Sequence, residues 1–577
     1  MSSRPDFSPE YPVPSASEAS ERHRVTSQRS ALQPLLVLAL DGATFDVIKP
    51  MVAEGALPNL RQWMAEDCWG ALRSTTPPVT FPAWTTFMTG LEPGDHGIFD
   101  FTHRVPDAYR IRFVNASDRS RETLFDGLAR EGGRMLVLGM PASHPIGPLP
   151  GLFVPGFDAP VSTGSEAAAT SHPKLYEQVA ARAGPWMRPD IDESGRSDAA
   201  ASERAVETLL GRIERKKNFA LEALKVMSAD PEGPPDLVTI VFAESDTVGH
   251  HYWRDHDANS PRHDPDASPT RKQAIRSVYA ALDSACGEIR EAFGSDRPCL
   301  VVSDHGMGGA AREVVHLNRY LADCGLLARR TARHTPFDTL ARTARDTALR
   351  WLPPMLAQRI FRKARAAAAR LESTARFGGI NWSKTIAFSE EANTLPGVWI
   401  NVRGREPSGC VEPDEYEKVR DQVIECLESW KRPDGGPVIA RALRREAVYS
   451  GPYMERAPDL LLELAMCDGY GLSLVPTPWS EPTSAFRTLP KEAWGGGRGR
   501  GMNGTHRSDG IFIASHLGDL QPNARPARLG EVATWMAELL GLAWRPSGSD
   551  TAGTRREYTE QEDAIIAARL RALGYLE

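Results

Sequence analysis

Three apolar runs in this chain lead directly into acidic residues. LLVLAL ends in Asp41, LVTIVF is followed by Glu244, Ser245 and Asp246, and CLVVS ends in Asp304 and His305. Carboxylates and imidazoles together are the donor set of a divalent cation. Asp246 and His250 are four residues apart, so a helix starting there turns both to one side. His506 lies in GTHRSDG, just ahead of the apolar run Gly510–Ala514, and can approach the same edge. Taken singly, each residue has a plainer reading. An Asp at a strand end caps a helix or forms a turn, and a lone His before a strand is a surface or hydrogen-bonded residue. His251 and His256 are left with that plainer reading. The joint pattern carries the metal-site expectation.

A hydroxyl nucleophile stands out as well. In TTPPVTFPAWTTFMTGLEPG, Pro82 suits the first turn of a helix, so Thr80 falls at or near its N-cap, with Phe81–Met88 beyond. There the oxygen sees the positive end of the helix dipole and unsatisfied backbone N–H groups, which favour an alkoxide and bind a phosphate oxygen. Metal coordination would lower its pKa further. The alternative is that Thr80 simply caps a helix.

The elements that must position these groups read as a mostly parallel sheet covered by helices. Strands are expected at Leu35–Leu40, Met135–Leu138, Leu237–Phe242, Cys299–Ser303, Leu460–Leu464 and Gly510–Ala514. Helices are expected at Glu203–Met227 and Lys272–Phe293. The carboxyl ends of such strands share one crevice, where ligands collect. The texture changes between residues 315 and 450. The stretch Arg329–Arg376 holds twelve Lys/Arg against three Asp/Glu, and it is followed by strand-like Thr385–Phe388 and Gly397–Val402 and a helix from Pro413 to Trp430. This is expected to be an inserted cap domain, with the core occupying 31–314 and 451–548. Its basic stretch reads as a solvated lid helix, with peripheral contact to an anionic surface or polyanionic substrate as the second reading. Residues 549–577 carry a closing helix, with a capping box at Thr559 and Glu562, a shared face of Ile566, Leu570 and Leu573, and a stop at Gly574.

Residues 1–30 are rich in Ser, Pro, Arg and Glu without an apolar segment, and are expected to be a disordered tail rather than a signal peptide. No apolar run approaches the roughly 20 residues needed to span a bilayer. A net charge of −7 argues against a nucleic-acid-binding domain. The seven cysteines are scattered and never spaced as CxxC, the expectation for reduced thiols in a cytoplasmic protein. Any metal is therefore held by Asp and His. Gly499, Gly501 and Gly504 spell GxGxxG, but a strand follows the motif where a dinucleotide site needs a helix. These glycines are better suited to bringing His506 close to a metal.

With these pieces in order, the chain resembles the alkaline phosphatase superfamily, specifically its type I phosphodiesterase/nucleotide pyrophosphatase family. The matching segments are LALDGA, PPVTFPAWTTFMTGLEPGDHGIFDF, ESDTVGHHYW, VVSDHGM and NGTHRSDG. The resemblance implies an alkaline-phosphatase-like α/β fold, with a mostly parallel sheet flanked by helices and an inserted α+β cap. It implies two divalent ions, zinc or else manganese. Asp246, His250 and His506 would hold one; Asp41, Thr80, Asp304 and His305 would hold the other. It further implies two in-line displacements at phosphorus, with a phospho-threonine formed at Thr80 and then released by water.

One position departs from the family pattern: Phe101 in HGIFDF stands where an Asn that binds a phosphoryl oxygen is expected. Stabilisation of that oxygen then falls to backbone N–H near Phe81, to Arg104 or His103, or to the cap. The expected substrate is a small phosphate ester, a phosphodiester or nucleotide pyrophosphate in preference to a monoester. A phosphomonoesterase, a phosphotransferase or mutase of the same superfamily, and a non-catalytic metal-binding protein are the alternatives.

Overall fold

The chain is described here from a computed structural model, which covers residues 32–160, 166–186, 199–330, 376–479, 483–494, 502–518, 524–546 and 558–572. Most of the basic stretch Arg329–Arg376 and the expected tail 1–30 lie outside the described residues, as do Gly499, Gly501, Leu573 and Gly574.

Strand β1 (Leu35–Leu40) shows why the core forms. All six of its residues are buried. Leu36, Leu38 and Leu40 enter one apolar cluster and Leu35, Val37 and Ala39 another, so the sheet is covered on both faces. A continuous apolar run is what such a strand requires. Among the described residues the main sheet has seven strands, in the order β2-β18-β8-β1-β7-β5-β6. β1 runs parallel to β7 (Leu237–Phe242) and to β8 (Cys299–Val302). β5 (Met135–Met140) is parallel to β7 and to β6 (Gly151–Pro155). β18 (Asp509–Ser515) lies antiparallel between β8 and β2 (Cys68–Arg73).

Helices α1 (Phe45–Ala53), α3 (Ala199–Ala229), α4 (Glu244–His256) and α5 (Pro269–Phe293) cover one face. Helices α2 (Thr80–Thr89) and α7 (Leu529–Leu540) cover the other. Full burial of each Leu or Ile in these layers contributes about 1.5–3 kcal/mol.

A short hairpin, β3 (Thr102–Arg104) with β4 (Ile111–Phe113), follows α2. β9 (Gly306–Val315) starts immediately after His305 and pairs with β15 (Tyr470–Leu474), β16 (Phe486–Thr488) and β17 (Gly504–Arg507), while β14 (Met466–Cys467) pairs with β15. A separate four-stranded sheet joins β10 (Ala387–Phe388), β11 (Gly397–Ile400), β13 (Leu460–Leu464) and β12 (Ile439–Arg444), with α6 (Tyr416–Glu428) contributing to its apolar cluster. This corrects one expectation. The run LLLEL does not resume the main sheet after residue 450; β13 pairs with β11 and β12 in the smaller sheet. A short, mostly apolar run such as this suits either sheet, and only long-range pairing chooses between them.

The capping box of α8 (Glu560–Ala572) forms as expected. Thr559 N–H donates to Glu562 Oε2 at 2.8 Å and Glu562 N–H to Thr559 Oγ1 at 3.3 Å. Ile566, Ala567 and Leu570 then pack with Phe81, Phe101, Phe113 and Phe157. No helix among the described residues is long and apolar enough to cross a membrane. All seven cysteines are free thiols.

The start of α4 is held by a buried ion pair, Lys216 Nζ to Glu244 Oε1 at 2.9 Å, with side chains 3% and 1% exposed. Removing one partner of such a pair strands the other charge, at a cost of about 3–5 kcal/mol. Lys216→Met is therefore expected to lower the thermal unfolding midpoint, and Lys216→Met with Glu244→Gln to recover much of the loss. A single variant as stable as the parent would show that Glu244 needs no partner.

Candidate metal centre and nucleophile

Each strand-end acid arrives where its apolar run predicts. Asp41 follows β1, and Asp304 and His305 bridge β8 to β9; all three are buried. Asp246 and His250 sit on α4, and the four-residue spacing brings His250 Nε2 to 3.3 Å from Asp246 Oδ1. His506 lies within β17, opposite Met307 of β9, and its Nε2 is 3.4 Å from Asp246 Oδ1. His305 Nε2 is 3.4 Å from Asp304 Oδ2 and 3.6 Å from Asp41 Oδ1.

Two sets of donor atoms, each mutually within 4.8 Å, result among the described residues: Asp246, His305 and His506, and Asp41, Asp304 and His305. His305 belongs to both, and its ring stacks on that of His506 with centroids 3.7 Å apart.

The hydrogen bonds around the histidines decide which nitrogen faces inward. Nδ1 of His250 is 2.9 Å from Gly504 O, that of His305 is 3.0 Å from Gly306 O, and that of His506 is 2.8 Å from Pro78 O. A carbonyl only accepts, so each Nδ1 carries the proton and each Nε2 presents its lone pair. The Nε2 atoms of His250 and His506 face one another at 2.9 Å. Two lone pairs at that distance repel unless a cation lies between them. On the other side, Asp41 Oδ1, Asp304 Oδ2 and His305 Nε2 are buried without a hydrogen-bond partner among the described residues. The residues present thus fit divalent cations.

The charges agree. Burial, then the nearby Asp246, pushes Asp41 up to about 8. Burial and the proximity of Asp41 raise Asp304 well above the usual carboxylate range. Burial alone would raise Asp246 too, but His250 and His506 more than offset it and hold it low. Burial depresses His305 and His506.

Close backbone packing makes this convergence achievable. Gly42 has φ +63°, and a Cβ there would lie 2.9 Å from Asp246 Oδ1. A Cβ on Gly504 would lie 2.4 Å from the carbonyl oxygen of Gly249. Gly504 thus lets β17 approach α4 closely.

Thr80 is fully buried as the first residue of α2, and the N-cap is Val79, whose side chain accepts no capping bond. The expected position thus shifts by one residue into the helix. As first-turn residues, Thr80 and Phe81 have N–H groups with no carbonyl partner inside the helix. Two hydrogen bonds tie this segment to the acid–histidine cluster. Pro78, just ahead of α2, accepts from His506 Nδ1, and Trp84, one turn beyond Thr80, donates from Nε1 to Asp41 Oδ2 at 3.0 Å. Trp84 went unnoticed in the sequence, although its i+4 spacing from Thr80 marks the same helix face. Ser245, whose hydroxyl donates to Asp41 O at 2.6 Å, was also missed.

The residues considered for substrate contact divide. Phe81 and Phe101 are buried with ring centroids 4.5 Å apart, and Phe157 packs beside them. Arg104 is committed elsewhere: Glu406 grips its guanidinium, which lies 4.5 Å over the Trp399 ring. A guanidinium so engaged ties the β3 hairpin to the smaller sheet.

Residues 35–468 match the family model described as type I phosphodiesterase / nucleotide pyrophosphatase. No curated protein matches the chain. Among solved structures, phosphonoacetate hydrolase from Sinorhizobium meliloti 1021 in complex with phosphonoacetate superposes with a TM-score of 0.50 and 15% identity, covering 88% of this chain and 96% of that one. An inactive form of murine ectonucleotide pyrophosphatase/phosphodiesterase 5 in complex with AMP gives 0.42 and 13%, covering 91% and 97%. The first likeness is one of fold.

Proposed function

Because this chain belongs to the type I phosphodiesterase/nucleotide pyrophosphatase family, we propose that it is a metal-dependent hydrolase of phosphodiesters or nucleotide pyrophosphates with Thr80 as nucleophile. The observation that carries the reading is the inward turn of three Nε2 atoms and three carboxylates beside the N-terminus of α2. Asp246, His250 and His506 would hold one ion and Asp41, Thr80, Asp304 and His305 the other, with His305 Nε2 also within reach of the first set. Bound there, two cations supply Lewis acidity that lowers the pKa of a coordinated hydroxyl and neutralises charge on phosphoryl oxygens.

The chain's own residues do the rest. Thr80 Oγ attacks phosphorus in line, its proton leaves to solvent, and the P–O bond to the leaving group breaks with its electron pair. The phosphoryl group is then on Thr80, and water cleaves it to regenerate the hydroxyl. The N–H groups of the first turn of α2 donate to a non-bridging oxygen through both displacements. Trp84 and Ser245 hold Asp41 in place from its side chain and its backbone.

Phe101 supports a preference for diesters. The resemblance places Phe101 where the family pattern has an amide donor, and Phe101 packs with Phe81 and Phe157 in a buried apolar cluster. A monoester dianion, with three non-bridging oxygens, needs more donors than a diester monoanion. The expected result is a kcat/KM for bis-p-nitrophenyl phosphate or a nucleotide pyrophosphate roughly tenfold or more above that for p-nitrophenyl phosphate under identical metal and pH conditions. A tenfold advantage for the monoester would replace the diesterase reading with that of a phosphatase. Product analysis with an added alcohol acceptor separates hydrolysis from phosphotransfer. Phosphonoacetate, bound in the Sinorhizobium meliloti structure, belongs in the same substrate panel.

A further inference from the structure

Behind the His250–His506 pair lies a buried arginine that the proposed reaction does not use. Arg262 is 0% exposed, in a loop after α4. Its guanidinium reaches segments distant in sequence. Nε donates to Ala311 O of β9 at 2.7 Å, and Nη1 donates to Met502 O at 2.9 Å and, more weakly, to Asn503 Oδ1 at 3.5 Å. Among the described residues its hydrogen-bond partners are carbonyl and amide oxygens, with no carboxylate, and burial brings its pKa down to about 10. Burying a cation in such company is costly, so what it organises matters.

It organises Asn503. Asn503 N–H donates to His250 O at 2.9 Å, its Nδ2 donates to His251 O at 3.2 Å, and its carbonyl accepts from Ala310 N. One residue therefore clasps α4 at the His250 turn, β9 beyond His305, and the start of β17. Three residues on, His506 faces His250 and bonds to Pro78. Gly504, in between, leaves no room for slack against Gly249.

We propose that Arg262, acting through Asn503, is a positioning residue for the Asp246–His250–His506 half of the metal centre. It sets the separation of the two imidazoles rather than contacting metal or substrate. The inference rests on the metal-centre reading above. Outer partners that orient ligands typically change metal affinity about 10–100-fold when lost.

The test uses the full chain and the variants Arg262→Met, Arg262→Lys and Asn503→Ala. Zinc affinities of the two sites are measured by chelator competition, the cobalt(II) absorption spectrum reports ligand geometry, and the thermal midpoint of the metal-free protein is recorded. Arg262→Met and Asn503→Ala are expected to weaken one site about 10–100-fold and alter its cobalt spectrum, leaving the Asp41–Asp304 site nearly unchanged. Arg262→Lys should recover only part, because an ammonium cannot reproduce the fork that spans Ala311 and Met502. If Arg262→Met fails to fold, the other two variants carry the comparison. Unchanged affinities with a lowered midpoint, or equal losses at both sites, would overturn the positioning role. A parent protein that binds no zinc would instead overturn the metal-centre reading, and this inference with it.

Discussion

Thr80→Ala is expected to lower kcat/KM by ~10³-fold or more, because the variant retains the binding groups but loses the atom that attacks phosphorus. Thr80→Ser should keep part of the activity, since it supplies the same hydroxyl without the methyl group. The loss should not reflect unfolding. Val79, not Thr80, occupies the N-cap, and α2 is buried along its whole length against α7 and the sheet. The stability change should be about 1 kcal/mol, typical of a single substitution. Steady-state kinetics with a thermal melt separates the two effects. Rapid acid quenching of the parent enzyme should trap a phosphoryl group on Thr80, detectable by peptide mass spectrometry. An Ala variant with parental turnover would mean that water attacks directly.

The second large effect concerns the ions. Elemental analysis of the purified protein should find about two divalent metals per chain. Asp304→Ala should leave close to one, and Asp246→Ala likewise, each with loss of activity. His305→Ala should differ from both. Its Nε2 belongs to both sets of donor atoms, and its ring stacks on His506. Removing it should weaken both ions, whereas the simple division of ligands into two sets predicts the loss of one. Full occupancy in the Asp304 and His305 variants would dismantle the assignment. Chelation should abolish activity, and readdition of zinc or manganese should restore it.

The contrast between Asp304 and His305 marks how far the sequence could be read. Strand-end acids were legible because an apolar run buried on both faces ends where the chain reaches the crevice, as LLVLAL does at Asp41. The Asp246–His250 pair was legible from the helical period, and their contact at 3.3 Å follows from the same arithmetic. The place of His305 in both donor sets was not legible, since it depends on β17 laying His506 against it. The engagement of Arg104 was equally hidden, because Glu406 is 302 residues away in the chain. Arg262 carries no local signal at all, because its partners Ala311, Met502 and Asn503 lie far away in the chain.

By itself, then, the sequence determined which segments become strands and helices and which residues carry donors at their ends. Those properties depend on repeats of about two and 3.6 residues and on side-chain chemistry, all of them local. Tertiary structure alone decided that β13 joins the smaller sheet, that β18 enters the main sheet antiparallel, and which donors share a site. The bonds that settle these points link residues such as Gly42 with Asp304 and His250 with Gly504, 262 and 254 positions apart. No local repeat encodes such a pairing. It emerges only when apolar faces choose their partners and bring the polar strand ends together in one water-poor crevice.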